Sequence, residues 1–251
     1  MTLKGKARLY VDCELSQNAE IELNKDQAHY LSRVMRSTLG DSIDVFNGQN
    51  GEWQCRISQI SKSNVRLIPV QQAKQQTTTK GPSLAFAPIK KSRTDFIIEK
   101  ATELGVSEIS PVFTANTDTN RVKVDRLQMI AIEAAEQCRR LDIPEVKAPT
   151  HLQQFLENYP TDHHLFVLDE TGNAPPLPDV INSGNNIENV CFLIGPEGGF
   201  QSSELDALRK LPFATTVGVG PRILRAETAV VAALSCWQAM TGAWKNNQDH
   251  I

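Results

Sequence analysis

LIGPEGGF at 193–200 and VGVGPRILRAET at 217–228 decide how the rest of this chain is read. Each stretch follows a short apolar run and leads into a helical pattern, so two strand ends deliver backbone amides and small residues to one neighbourhood. Glycine lets main chain approach a ligand without a Cβ in the way. Glu197, Arg222, Arg225 and Glu227 place charge on the same loops. Either motif alone could be a tight strand-to-helix turn. The two together suit a bound cofactor.

Upstream of these motifs, strand and helix patterns alternate. SLAFA (83–87) is followed by a helix over about 93–104 stopped by Gly105, then ISPVF (109–113). A longer helix over about 125–140 has Asp125 as its cap and Leu127, Ile130, Ala134 and Cys138 on one face. A short helix near 151–158, HLFVLD (164–169), VCFLI (190–194), a helix near 203–210 opened by Ser203, TTVGV (215–219) and a last helix over about 226–243 complete the series. Such alternation implies an α/β fold with a largely parallel sheet, whose ligand crevice lies at the carboxyl ends of the strands. LDETG, GPEGG and GVGPRILR sit at such ends.

The first seventy residues follow a different rule. ARLYVDC (7–13), SIDVF (42–46), EWQCRISQI (52–60) and VRLIPV (65–70) read as short strands, with Asn47-Gly48 and Asn50-Gly51 marking a hairpin between the second and third. One helix interrupts them, capped by Asn24, with Ala28, Leu31, Val34 and Met35 on an inward stripe beside His29, Arg33 and Arg36. A small β-barrel carrying a basic helix hides the edges of so few strands. QQAKQQTTTKGPS (71–83) is polar, aperiodic and contains Gly-Pro, which marks a linker. The expected division is a barrel over 1–73, a linker over 74–82 and an α/β domain over 83–251.

Composition narrows the function. The chain of 251 residues is 40% hydrophobic, enough for a substantial core, with no stretch approaching a membrane span and no apolar segment at its start suited to secretion. A cytoplasmic protein is expected. Five widely spread cysteines, none in CxxC spacing, point to neither zinc nor a disulfide framework and read as reduced, mostly buried apolar residues. Residues 1–80 carry 11 Lys and Arg against 8 Asp and Glu, a net of +3, and the remainder 15 against 21, a net of −6. Anion binding is therefore expected mainly in the N-terminal third.

Several chemistries are excluded by pattern. There is no GxxxxGK[ST] phosphate loop, and Pro221-Arg222-Ile223 breaks the GxGxxG pattern that Gly218 and Gly220 begin. No Ser or Cys stands in a nucleophile elbow, and the five histidines lack metal-ligand spacing, with His163-His164 expected to face solvent.

At LIGPEGGF and GPRILRAETA the sequence resembles the RsmE family, the ribosomal RNA uridine-N3 methyltransferases of the SPOUT class. RLYV (8–11), HYLSRVMR (29–36), EKATELGV (99–106) and EAAEQC (133–138) also look like family motifs, so the resemblance covers nearly the whole chain. It implies a PUA-like RNA-binding barrel, a catalytic domain with a C-terminal trefoil knot, S-adenosyl-L-methionine as methyl donor, a homodimer, and the small ribosomal subunit or its RNA as partner, with no metal and no membrane. The chain departs from the family's commoner forms at Ile89–Arg93, at Arg139-Arg140 and at TANTDTNRV (114–122), all of which bear on which basic groups touch RNA.

In that setting the residues take expected roles. Uridine N3 carries a proton at neutral pH, so a site must remove it or stabilise the resulting imide anion. Arg225 is the expected electrostatic stabiliser with Arg222 as the alternative cation, and Glu227 is the expected base. Glu197 could take the proton too, or bond backbone amides inside its own loop. The cofactor set is Leu168, Glu170, Ile194, Gly195, Glu197, Gly199, Gly218, Gly220, Ile223, Leu224 and Thr228, although Ile223 and Leu224 could instead start the last helix and enter the core. For RNA phosphates the candidates are Arg8, Arg33 and Arg36, with Lys90, Lys91 and Arg93 as a second group or a solvated face. Competing readings are methylation of another atom such as a ribose 2'-hydroxyl, a noncatalytic RNA-binding assembly factor, and a nucleotide-using metabolic enzyme.

Overall fold

The structure is a computed structural model that describes residues 5–183, 189–242 and 244. By its internal contacts the chain divides into two compact units, 1–78 together with 135–143, and 79–134 together with 144–251. Each is described in turn.

The first unit is built on a five-stranded sheet of β1 (Arg8–Tyr10), β2 (Ile21–Glu22), β3 (Ser42–Phe46), β4 (Glu52–Ile60) and β5 (Val65–Lys74), in the order β1-β3-β4-β5-β2. β1 runs parallel to β3 and the other pairs are antiparallel. The ladder does not join β1 to β2 among the described residues, yet Leu9 and Ile21 from these two edges share one core cluster with Ile43, Cys55 and Leu67. Alternating apolar residues thus bury one face of the sheet, as strand geometry requires. β5 runs four residues beyond the expected Val70, into the polar tract read as linker, because Gln71, Gln72 and Lys74 continue the backbone ladder with β4.

Asn24 caps α1 (Lys25–His29): its side chain accepts from the Gln27 N–H at 2.9 Å while the Gln27 side chain reaches back to the Asn24 N–H. The helix then widens into a π turn over Tyr30–Val34, closed by the Met35 N–H to Tyr30 O bond of 2.9 Å. Ala28 and Leu31 are buried as expected. Val34 is not: the wider turn carries it off the 3.6-residue stripe and leaves it 62% exposed.

Residues 135–143, a segment the sequence assigned to the second domain, join this unit through the packing of Phe46 with Ala135 and Leu141, a Tyr10 N–H bond to Glu136 and the contacts of Arg8. The Arg8 guanidinium pairs with Glu52 at 2.5 Å and donates to the carbonyls of Ala135 and Arg140 at 2.8 and 2.7 Å. It also lies 3.7 Å from the centroid of the Phe46 ring. The expectation that Arg8 binds RNA is therefore corrected. Its side chain is 10% exposed and its donors are consumed inside the protein.

The second unit carries a seven-stranded parallel sheet. Its strands are β6 (Ser83–Phe86), β7 (Glu108–Phe113), β8 (Glu145–Val146), β9 (Thr150–His151), β10 (His164–Leu168), β11 (Val190–Ile194) and β12 (Ala214–Val217). The order is β12-β10-β11-β6-β7-β8, with β9 pairing β7. Central β11 is buried along its whole length and its neighbours β6 and β10 along all but their first residue, as VCFLI requires of a sheet covered on both faces.

Helices α2 (Lys91–Glu103), α3 (Val124–Cys138), α4 (Leu152–Glu157), α5 (Leu177–Ser183), α6 (Ser202–Leu208) and α7 (Ala226–Met240) connect or follow the strands. Gly105, at φ +79°, ends α2 as read from the sequence. Asp125 lies in the first turn of α3 rather than at its cap, and α6 begins one residue before Ser203, with Glu204 accepting from the Gln201 N–H at 2.9 Å. The last helix ends at Met240, short of the expected 243, a position outside the described residues.

Two smaller expectations are corrected. Of the cysteines only Cys55 and Cys191 are buried, and Cys13 is exposed; all five are free. His163 and His164 are half-buried rather than fully solvent-facing: His164 packs edge-on against Phe166 at 4.6 Å, and its Nε2 is buried with no hydrogen-bond partner among the described residues. Among those residues no helix is long and apolar enough to cross a membrane, and no cluster of ligating side chains could hold a metal ion.

Candidate functional site

Three neighbouring strands end together. Leu168 of β10 stands in register with Val217 of β12, Val167 with Leu193 of β11, and Ile194 with Phe86 of β6. The residues that follow, Asp169-Glu170, Gly195-Pro196 and Gly218-Val219, therefore emerge side by side and wall a cleft of about 610 Å³. The parallel ladder alone forces this: strands running the same way in register must release their loops at one edge of the sheet.

The loops are held from outside the cleft. The Asp169 carboxylate accepts from the Thr171 N–H at 2.8 Å and pairs with Arg209 at 2.8 Å. Burial alone would raise the Asp169 carboxyl, but the Thr171 hydrogen bonds and the Arg209 guanidinium outweigh it and hold the group below its ordinary value. Gly218 donates to Pro175 O at 2.8 Å and accepts from the Leu177 N–H at 2.9 Å. Asn116 donates to the carbonyls of Gly198 and Gly199 at 3.3 and 3.1 Å, which pins the GPEGG turn.

Glycine is required at two points. A Cβ at Gly195 would come within 2.9 Å of the Phe200 ring. At Gly199, where φ is +68°, a Cβ would overlap the Glu170 carboxylate.

Of the residues singled out in the sequence, Leu168, Glu170, Ile194, Gly195, Glu197, Gly199, Gly218, Gly220, Arg222, Ile223, Leu224 and Arg225 line this one cleft. Ile223 is 81% exposed, so it does not enter the core. Arg225 is the N-cap residue of α7, its carbonyl accepting from Ala229 N at 2.8 Å while its side chain stays exposed.

Glu227 and Thr228 are not among the lining residues. Thr228 is exposed. The Glu227 side chain is 15% exposed, one oxygen lies 3.5 Å from Arg93 Nε, and the other is buried without a hydrogen-bond partner among the described residues.

Arg93, expected among the RNA cations, instead lines the cleft and pairs with both Glu197 and Glu227. Glu197 accordingly makes its ion pair with α2, where bonds to amides of its own loop were the alternative reading. Arg33 and Arg36 are exposed beside the π turn, Arg36 at φ +48°, and Lys90 and Lys91 are exposed at the start of α2.

The sequence reading missed Asp169, Asn116 and the role of Arg93. Asp169 could have been found as the first carboxylate after the HLFVL strand. Asn116 and Arg93 lie some 80 and 100 residues from the loop they hold, and no local pattern signals such pairings.

Two family descriptions match the chain, an RNA methyltransferase domain over residues 58–238 and an RNA methyltransferase PUA domain over residues 23–70. The chain is 31% identical to ribosomal RNA small subunit methyltransferase E of Rickettsia conorii, covering 91% of this chain and 93% of that protein. It is 34% identical to the protein of the same name from Synechocystis, covering 91% and 76%. Among solved structures it is similar to a ribosomal RNA small subunit methyltransferase E from Neisseria gonorrhoeae bound to S-adenosyl methionine, with a TM-score of 0.83 at 26% identity over 93% of this chain and 97% of that one. A Legionella pneumophila methyltransferase in complex with the same cofactor gives a TM-score of 0.85 at 29% identity over 94% and 98%.

Proposed function

Because the chain belongs to the ribosomal RNA small subunit methyltransferase E family, we propose that it methylates N3 of a specific uridine in small-subunit (16S) ribosomal RNA, using S-adenosylmethionine. The observation that carries this reading is the cleft formed where β10, β11 and β12 end together. Its walls suit the cofactor: Gly195, Gly199 and Gly218 line it without side chains, and Leu168, Ile194 and Leu224 offer apolar cover for an adenine ring. These residues, with Gly220 and Ile223, hold the cofactor; Glu170 faces it from the first strand end.

S-adenosylmethionine supplies an electrophilic methyl on a sulfonium and needs no metal. The protein must place the acceptor nitrogen in line with that methyl, exclude water and manage the N3 proton. Arg225, exposed on the cleft wall, lies opposite the developing imide anion, with Arg222 beside it. Of the two carboxylates considered for the N3 proton, Glu197 lines the cleft and takes it; Glu227 does not line the cleft, one of its oxygens lies against Arg93 and the other is buried. N3 lies on the Watson-Crick edge, so the uridine enters unpaired.

The first unit carries the RNA-binding PUA-like fold, with Arg33 and Arg36 set toward phosphates. The catalytic unit is threaded as a trefoil knot, a reading supported by the bonds of Gly218 to Pro175 and Leu177, which draw the connection after β10 across the strand end from which α7 departs. A crystal structure in which α7 passes outside that connection removes the knot. The protein acts as a homodimer in the cytoplasm; a monomeric mass by light scattering removes the dimer.

The direct test incubates the protein with methyl-labelled donor and either small subunits or naked 16S RNA, then analyses the nucleosides. N3-methyluridine at one position is the expected product. Label in a ribose 2'-O-methyl group, or no transfer to either substrate, overturns the assignment.

A further inference from the structure

A second concavity of about 320 Å³ lies in the catalytic unit, formed by the start of α2, the loop before α3 and the first turn of α3. Its floor is apolar, made by Pro88, Ile89, Val122 and Leu127. Its rim is basic: Lys91, Arg121, Lys123 and Arg126 line it, and no carboxylate does. Arg126 is paired with Asp95, whereas Lys91, Arg121 and Lys123 are exposed and have no ion-pair partner among the described residues. Three unpaired cations around an apolar floor cost self-repulsion that the fold itself does not relieve. An anionic ligand with a flat apolar part relieves it.

The same loop joins this groove to the cofactor cleft. At one end Asn116 holds the Gly198 and Gly199 carbonyls of the cleft; at the other Thr119 donates to Ile89 O at 3.5 Å, where Thr94 also bonds at 3.0 Å and sets the turn that carries Lys91. Residues 116–119 thus border both sites, so a strand with its target base in the cleft can run on past them to the groove. The volume, near the lower end of the roughly 300–1,000 Å³ usual for ligand sites, suits a single nucleotide.

We infer that this groove binds one unpaired RNA nucleotide flanking the target uridine, its phosphates held by Lys91, Arg121 and Lys123 and its base or ribose resting on Ile89 and Val122. The inference rests on the RNA-methylating reading above and adds a specific contact within the catalytic unit. Cations that hold phosphate release counterions, so each contributes about 0.7 to the slope of log affinity against log salt on single-stranded RNA.

The test titrates a fluorescent single-stranded fragment of 16S RNA, containing the mapped target, with wild type, Arg121→Gln/Lys123→Gln and the distant control Lys210→Gln across a series of KCl concentrations. S-adenosylmethionine affinity is measured in parallel by calorimetry. The double variant should bind RNA roughly tenfold more weakly at 0.1 M salt, with the slope reduced by about 1.4, while cofactor affinity and the control are unchanged. An unchanged slope in a double variant, beside a wild type that binds and methylates RNA, overturns the groove and leaves the function standing. A reduced slope in a protein that transfers no methyl group supports the groove and defeats the catalytic reading. A wild type that does not bind the fragment overturns the groove, and the function is then decided by transfer to small subunits. Should the double variant lose cofactor affinity, Lys91→Gln carries the test, with a slope change of about 0.7 expected and none refuting.

Discussion

Glu170 and Gly199 stand against each other at the carboxyl ends of the paired strands β10 and β11, so close that a side chain on residue 199 would occupy the space of the Glu170 carboxylate. The backbone of residue 199 also has φ +68°, where a residue with a Cβ is strained. The two constraints are independent and both act on the cofactor loop.

Gly199→Val should therefore weaken S-adenosylmethionine binding about tenfold or more, since even 1.4 kcal/mol of loop strain or displacement amounts to a factor of ten. Isothermal titration of wild type and variant measures this, and an unchanged affinity in Gly199→Val would reject the cleft as the cofactor site.

Arg225 caps α7 through its backbone, which leaves its side chain free for chemistry. Truncation to Ala should leave the helix and the cofactor affinity close to wild type while lowering kcat by about 10²–10³, the usual effect of removing one group that stabilises charge in the transition state. Single-turnover methylation at saturating donor is the measurement. A normal rate would end the assignment of Arg225.

Arg8 offers a test of the opposite kind, because its role is structural. Arg8→Met leaves Glu52 buried without its partner and two carbonyls without donors, a loss of about 3–5 kcal/mol for a buried pair broken on one side. The double change Arg8→Met/Glu52→Met should regain much of that stability, as removing both charges avoids the unpaired one. Urea denaturation of the three proteins decides. A fully stable Arg8→Met would return Arg8 to the list of RNA contacts.

His164 supplies a pH dependence. Burial against Phe166 lowers its pKa below the ordinary 6.5, so the folded protein binds this proton less readily than the unfolded chain. Above about pH 6.5 both states are neutral and the group contributes nothing. As pH falls below that value the unfolded chain is protonated first and stability declines, until the pH passes the lower folded value. Melting temperatures at pH 7.5 and 5.5 should separate more for wild type than for His164→Leu. Equal separations would refute the linkage.

Much of the fold was legible before any coordinates, and for local reasons. VCFLI reads as a buried parallel strand because four or five apolar residues in a row leave no solvent face, and Asn24 with Gln27 marks a helix start because both hydrogen bonds of a capping box lie within three residues. The same logic located the glycine loops that wall the cleft, since a glycine run after such a strand is itself a local signal. It failed at Val34, where the stripe assumed 3.6 residues per turn and the chain spends one turn as a π-helix.

By itself, then, the sequence determined the order of elements and the glycine turns, because each depends on neighbours a few positions apart, while the class of chemistry came from its resemblance to a family. Only the tertiary structure decided that Arg8 is an internal strut, that Arg93 belongs to the cleft with Glu197 and Glu227, and that Lys91 meets Arg121 and Lys123 around an apolar floor. Those charges look alike along the chain. Their roles are assigned by which partner lies within a few ångströms, a quantity set by the crossing of distant segments and by how completely each charge is withdrawn from water.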